Sequence, residues 1–189
     1  MSRILIDIGH GFYCGSQNEE RFDPGAVNQA AVSEFSLNVV SAIALQQRLQ
    51  SLGQFAAFCP YGLSRFDRGL AAAGYDCFIS VHHNAAGKPI KQQYVRVLHN
   101  KNSHTAQDRI LAERVAEAIA NILTITNFDA EPANLEVLRA ARKTNVKASI
   151  LTEAFFIDQG LSEAQMRIMA RNAGYAIAQA VHEYFYFGG

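Results

Sequence analysis

The chain has 189 residues, 49% of them hydrophobic, and its 17 basic and 17 acidic side chains cancel to zero formal charge. That length suits one α/β domain with a sizeable core, so a single domain is expected over residues 1–189. The charge balance provides neither the basic face that nucleic acid requires nor the acidic blocks of a disordered chain.

An apolar run at 4–8, interrupted only by Asp7, reads as a parallel strand covered on both faces. Residues 9–33 follow as a long loop broken by Gly9, Gly11, Gly15, Pro24 and Gly25. A loop of that length in a compact domain is usually functional or locally ordered. Ser33 is placed to cap a helix reaching to 52, closed by Gly53. Its apolar stripe reads as Phe35, Val39, Ala42 and Leu49, widened by Leu37, Val40 and Ile43.

The segment 54–58 reads as a second strand, 64–73 as a short helix and 77–81 as a third strand. Residues 92–98 alternate and predict an edge strand with one wetter face, while 106–123 is an amphipathic helix. The segment 135–139 reads as a short strand or turn, and 148–152 as the last core strand. A closing helix over 162–187 opens with Ser162 and Gln165 at capping-box spacing. Helices between parallel strands, with both sheet faces covered, predict a three-layer α/β/α sandwich around a mostly parallel sheet.

No stretch is long and apolar enough for a membrane span, and the start of the chain has no signal-peptide core. Synthesis in the cytoplasm is therefore expected. The three cysteines, Cys14, Cys59 and Cys77, are widely spaced and argue against a disulfide framework.

Three apolar runs end on metal-type or acid–base side chains. Ile8 leads into Gly9-His10-Gly11, Val81 into His82-His83-Asn84, and Thr152 into Glu153. Open α/β folds place their chemistry at the carboxyl ends of such strands. Glu34, at the start of the first long helix, completes two imidazoles, a carboxylate ligand and a spare carboxylate, the inventory of a hydrolytic zinc site.

Plainer readings stand beside each. His10 could be a turn residue after a strand, and Glu34 is favoured in a first helical turn by the helix dipole alone. Against that, it is read as facing outward from the sheet end that carries His10 and His82, with Asn38 one turn on in a supporting or substrate-facing role. Glu153 could pair with Arg139 or Arg142. His82 and His83 cannot both face one metal from a regular strand, because successive side chains alternate. His99 and His104 are read into a solvated polar loop at the rim.

Taken in series, five motifs resemble the zinc-dependent N-acetylmuramoyl-L-alanine amidases of the amidase-3 class. They are Ile6-Asp7-Ile8-Gly9-His10-Gly11, Asp23-Pro24-Gly25-Ala26, Glu34 with Leu37-Asn38, Ile79-Ser80-Val81-His82 with Asn84-Ala85, and Leu151-Thr152-Glu153 with Phe155. The resemblance implies a three-layer fold and one catalytic Zn2+. It implies cleavage of the amide between the lactyl group of N-acetylmuramic acid and L-alanine in peptidoglycan, the expected partner. It also implies that His10, Glu34 and His82 hold the zinc and that Glu153 is the catalytic carboxylate.

His83, Asn84 and Arg68 join Asn38 as substrate or supporting residues. That family usually carries a small residue where this chain has His83. It also carries an Arg and an Asn ahead of the third strand; here Arg65 and Arg68 are present, followed by Ala71-Ala72-Ala73. No separate wall-binding domain is expected. These features suit a phage or prophage lytic enzyme, or a bacterial enzyme released by a nonstandard route.

An amide resists water because its carbonyl is a poor electrophile and its amine a poor leaving group. Zinc with three protein ligands and an open fourth position polarises the carbonyl and makes hydroxide available near neutrality. Glu153, set among Ala154, Phe155 and Phe156, is expensive to bury without a purpose. Desolvation would raise its pKa into the range where it can take a proton from water and pass it to the departing amine. Two rivals differ in substrate or in class. One is a zinc hydrolase of another amide or peptide. The other is a non-catalytic peptidoglycan-binding module whose zinc is closed by a fourth ligand, His83 or Cys14.

Overall fold

The computed structural model describes residues 1–14 and 20–188; the side chains of Cys14 and Glu20 are outside that description, as is the expected breaker Gly15. Six strands form the central sheet: β1 (Arg3–Ile8), β4 (Phe55–Phe58), β5 (Cys77–Asn84), β6 (Tyr94–Asn100), β7 (Asn127–Ala133) and β8 (Ala148–Phe156). Their order is β4-β1-β5-β8-β6-β7. The first four in that order run parallel, whereas β6 is antiparallel to β8 and parallel to β7. Helices cover both faces, so the α/β/α sandwich around a mostly parallel sheet is the observed architecture.

Three long helices, α1 (Glu34–Ser51), α3 (Ala106–Leu123) and α5 (Glu163–Phe187), pack on one face. Ser33, Thr105 and Ser162 cap them, the last two within full capping boxes. Their core includes Ile4, Ile6, Ile79, Val81, Val97 and Ile150 from the sheet and Leu37, Leu45, Leu111, Val115 and Ile177 from the helices. Fully burying each such aliphatic side chain is worth about 1.5–3 kcal/mol. The helices α1 and α5 meet at Gly174, where an added Cβ would lie 2.3 Å from the Ser41 carbonyl oxygen. On the other face α2 (Arg65–Leu70) and α4 (Glu136–Ala141) cover a smaller core of Leu5, Phe78, Leu98, Leu138 and Leu151.

Several expectations are corrected. The 9–33 segment is not all loop: β2 (Gly11–Cys14) and β3 (Glu20–Asp23) pair antiparallel as a second, two-stranded sheet. The strand read at 92–98 is β6, and it lies inside the sheet rather than at its edge. The edge beyond it is β7, a strand the sequence reading missed. Its Pro132 lacks a donor and is tolerated because only one side of β7 is paired. The segment 135–139 is helical, belonging to α4. His99 belongs to β6 and is buried, with its ring 4.9 Å from that of exposed His104.

The stripe of α1 is also rotated from the expected one. Its buried face runs Glu34, Leu37, Asn38, Ser41, Ala42, Leu45 and Leu49, while Ile43 is exposed. Three polar residues sit on that inward face, and Glu34 meets His10 and His82 at the sheet end while being buried.

Candidate metal centre and active site

The first strand ends at Ile8, and Gly9 continues the ladder by donating its N–H to the Val81 carbonyl at 3.0 Å. A Cβ on Gly9 would lie 2.2 Å from the His82 ring, so only glycine lets that imidazole lie across the turn. His10 then adopts a left-handed backbone with φ 65°, an uncommon state for a non-glycine residue and one found at functional turns. His82 is the sixth residue of β5, and Glu34 opens α1 immediately after its Ser33 cap.

These elements converge on one point. Donor atoms of His10, Glu34 and His82 all lie within 4.8 Å of one another. His10 Nε2 is 3.0 Å from Glu34 Oε2, and His82 Nδ1 is 2.9 Å from Glu34 Oε1. The other nitrogen of His10, Nδ1, is 2.9 Å from Asp23 Oδ2. Asp23 is itself fixed by the Gly25 N–H, which donates to its Oδ1 at 2.9 Å.

Burial works against charge on His10, Asp23 and Glu34, and their contacts outweigh it. Desolvation pulls the His10 pKa down, but hydrogen bonds to Glu34 and Asp23 and their charges lift it to about 9. Desolvation pushes Glu34 up, yet hydrogen bonds from His10 and His82 hold it well below the usual carboxylate range. A divalent cation bound by such groups would displace their protons. The donor set, two nitrogens and one carboxylate oxygen, is one that zinc favours with a fourth position left open. Asp23 supplies the outer carboxylate that orients a ligating histidine.

Glu153 lies directly opposite His82 in the parallel register of β5 and β8, on the same face of the sheet. The register shifts just beyond this pair, so that Asn84 meets Phe156. The bulge turns Phe155 onto the far face against His83, with rings 4.3 Å apart. Glu153 Oε2 is fully covered and has no hydrogen-bond partner. Burial lifts its carboxyl to about 7. Neither proposed arginine pairs with it: Arg142 turns to Asp108 at 3.6 Å and to the Val146 carbonyl at 2.7 Å.

The remaining sequence candidates take supporting positions. His83 faces away from the centre, as strand alternation requires. Its Nε2 donates to Ser41 Oγ at 2.9 Å, and that hydroxyl donates to the Ala170 carbonyl at 2.7 Å. Burial pushes the His83 pKa down to about 3, so it is neutral, and it is absent from the cluster of donors. A fourth ligand from His83 is thereby ruled out, and the Cys14 side chain lies outside the described residues.

Asn38 is fully buried and donates to the Gly9 carbonyl at 3.1 Å, holding the turn beneath His82. Arg68 is buried too and donates to the carbonyls of Ile8, His10 and Phe12 at 3.0, 2.9 and 3.2 Å, clamping the His10 turn. Asn38 is closed off from the cavity, whereas Arg68 is among the residues that line it. Asn84 caps the end of its strand by accepting the Ala85 N–H at 2.8 Å. Asp23, to which sequence reading gave no role, is the residue that reasoning missed. Its signal was an acid beside Pro24-Gly25, but the contact to His10 exists only once the hairpin folds back.

A cavity of about 470 Å³ opens beside these groups, reaching from His10, His82 and Glu153 to Leu135 and Glu136. Among the described residues no helix is long and apolar enough to cross a membrane.

No curated protein sequence matches this chain. Among solved structures, an N-acetylmuramoyl-L-alanine amidase from Clostridium difficile 630 is 25% identical, with a TM-score of 0.80, over 100% of this chain and 98% of that one. The CwlD amidase of Clostridioides difficile, solved in complex with the GerS lipoprotein, has a TM-score of 0.79 at 18% identity, covering 100% of each chain. The catalytic domain of the CD27L endolysin targeting Clostridia difficile has a TM-score of 0.68 at 18% identity, over 96% of this chain and 97% of that one. The family model for N-acetylmuramoyl-L-alanine amidase matches residues 4–183. The chain therefore belongs to the N-acetylmuramoyl-L-alanine amidase family of the amidase-3 class and is an amidase of peptidoglycan.

Proposed function

We propose that this amidase is zinc-dependent, with His10, Glu34 and His82 as the metal ligands and Glu153 as the general base and acid. The observation that carries the proposal is the convergence of three donors within 4.8 Å beside a carboxylate whose Oε2 is buried without a partner. Bound there, zinc would polarise the scissile carbonyl and favour deprotonation of water.

The chain's own residues do the rest. Asp23 fixes the His10 ring so that Nε2 faces the metal position. Arg68 and Asn38 hold the glycine-flanked turn that carries His10. Glu153, with its pKa near neutrality, accepts a proton from the attacking water through its free oxygen. It then returns that proton to the nitrogen of the departing L-alanine, which leaves as a neutral amine. The parallel pairing of β5 and β8 keeps this carboxylate next to His82 throughout.

The bond addressed is the amide between N-acetylmuramic acid and L-alanine. The test is metal analysis of purified protein together with digestion of sacculi. One zinc per chain and newly exposed L-alanine amino termini are expected, both lost after removal of the metal and restored by zinc. Undiminished cleavage by metal-free protein would overturn zinc dependence.

A further inference from the structure

We infer that Arg96 is a positioning residue of the amidase, one that acts through Glu153 by stabilising its carboxylate as the proton passes to the departing amine. The inference rests on the role given to Glu153 above and adds a second charged group to it.

Strand β6 alternates across the sheet. Val95 and Val97 are buried in the long-helix core and Leu98 in the smaller one, so Arg96 projects with Leu98 on the cavity face. The strand lies between β8 and β7, and both neighbours set acids beside the arginine. Arg96 is the direct partner of Glu153 in the antiparallel register with β8. Side chains opposite one another in such a ladder have Cβ atoms about 4.5–5.5 Å apart. On β7 the residue opposite Arg96 is Asp129, and Glu131 lies on the diagonal, opposite Leu98.

Of these three acids, Glu131 alone holds the guanidinium by hydrogen bonds. Arg96 Nη2 donates to Glu131 Oε2 at 2.6 Å, and Nε donates to Glu131 Oε1 at 3.2 Å. The Tyr94 hydroxyl donates to the same Oε1 at 3.4 Å. Asp129 turns its Oδ1 to the Ala130 N–H at 2.8 Å. Two parallel bonds of this kind fix an arginine in place. The cation therefore stands beside Glu153 without bonding to it, and the carboxylate stays free to take and give a proton.

The two groups act on each other by charge. Burial lifts the Glu153 carboxyl, and Arg96 is among the charges that draw it back. Arg96 in turn holds its own proton more firmly, first through the hydrogen bonds to Glu131 and further through the charges of Glu131 and Glu153. A guanidinium stays protonated at working pH, so Arg96 neither gives nor takes the proton itself.

Its effect falls on the second half of the reaction. As the C–N bond breaks, its electron pair passes to nitrogen. Glu153 delivers its proton to that nitrogen, the amine leaves neutral, and a carboxylate remains in a buried site. A fixed cation opposite that carboxylate stabilises it as it forms. The same cation opposes the first half, in which Glu153 takes the proton from water.

The test compares two substrates of the zinc-loaded protein that differ in how their group departs. One is a muropeptide, whose L-alanine nitrogen must be protonated to leave. The other is the p-nitrophenyl ester of the lactyl carboxyl of N-acetylmuramic acid, whose phenolate leaves without a proton. Arg96→Gln should lower kcat on the muropeptide about fivefold, the scale of a partly exposed charge pair, with KM and zinc content unchanged. On the ester its kcat should stay at the wild-type value or exceed it. Arg96→Lys keeps a cation and should restore most of the lost kcat.

Equal loss on both substrates would overturn the inference, because a disturbed fold does not distinguish leaving groups. Wild-type kcat on the muropeptide in Arg96→Gln would overturn it too, as would Arg96→Lys performing no better than Arg96→Gln. Glu153→Gln separates the two readings. If that variant cleaves the muropeptide at the wild-type rate, the role of Glu153 fails and the inference falls with it. If that variant is inactive while Arg96→Gln shows no preference between substrates, the inference alone fails.

Discussion

On one face of the sheet, helices of 18, 18 and 25 residues bury aliphatic side chains along the whole length of the strands. On the other, two helices of six residues cover only part of each strand and leave a cavity over the rest. Both faces are built from the same strands with alternating side chains, yet they do different work. The long-helix face holds the core; the short-helix face carries Glu153, His82 and the cavity. On the long-helix face Ser41 is tied off by hydrogen bonds, and His83 is neutral and bonded through Nε2 while its Nδ1 has no partner. On the cavity face Glu153 Oε2 is also without a partner. An unsatisfied buried acceptor destabilises a fold, and this one belongs to the carboxylate assigned the proton transfer.

The sharpest way to break this comparison is Glu153→Gln. Turnover on sacculi should fall about a hundred- to ten-thousand-fold with zinc content unchanged, checked by product assay and metal analysis. Wild-type kcat/KM should rise about tenfold per pH unit on the acid side and level off at or below about 7, because only the ionised carboxylate accepts a proton and a bound dication would favour that form. Stability has the opposite sign. A carboxyl whose folded pKa is raised stabilises the fold while protonated, and that contribution is lost as pH rises through about 7. The metal-free Glu153→Gln variant should therefore melt above wild type at pH 8, by about 3 kcal/mol in stability.

The matching test on the other face is Leu45→Ala. Leu45 is fully buried between α1 and the sheet, so its truncation should cost about 2–5 kcal/mol in denaturant unfolding. The kcat measured well below the melting temperature should hold. A smaller effect is expected where the two regions meet. Asp23→Asn removes the charge behind His10 and should weaken zinc binding about 10- to 100-fold in chelator competition, with activity recovering at high zinc.

Much of the site was legible because its residues sit at strand ends. His10 follows a strand through a glycine, and His82 and Glu153 end apolar runs, so topology alone places them on one sheet edge. The choice of His82 over His83 followed from alternation and from the motif register, and β5 places the two rings on opposite faces. Elements with weak local signals were misread. The β7 strand, Asn127-Phe128-Asp129-Ala130-Glu131-Pro132-Ala133, has little apolar patterning, and its place comes from pairing with β6. The α4 helix is too short for a helical period to show, and its N-cap Leu135 makes no side-chain cap bond. The hairpin was hidden because its four-residue strands are held by contacts with Phe35 and the segment around Tyr61 and Gly62.

The sequence by itself determined the alternation of strands and helices and the order of the chemical groups, because hydrophobic period and capping residues act over a few neighbouring positions. It also determined which side chains could bind a metal. Only the tertiary structure decided that Asp23 lies behind His10, that Arg68 and Asn38 brace the turn that carries it, and that two short helices leave a cavity beside Glu153. Those outcomes depend on groups 13 to 60 positions apart meeting across strands, and no local pattern records such a meeting.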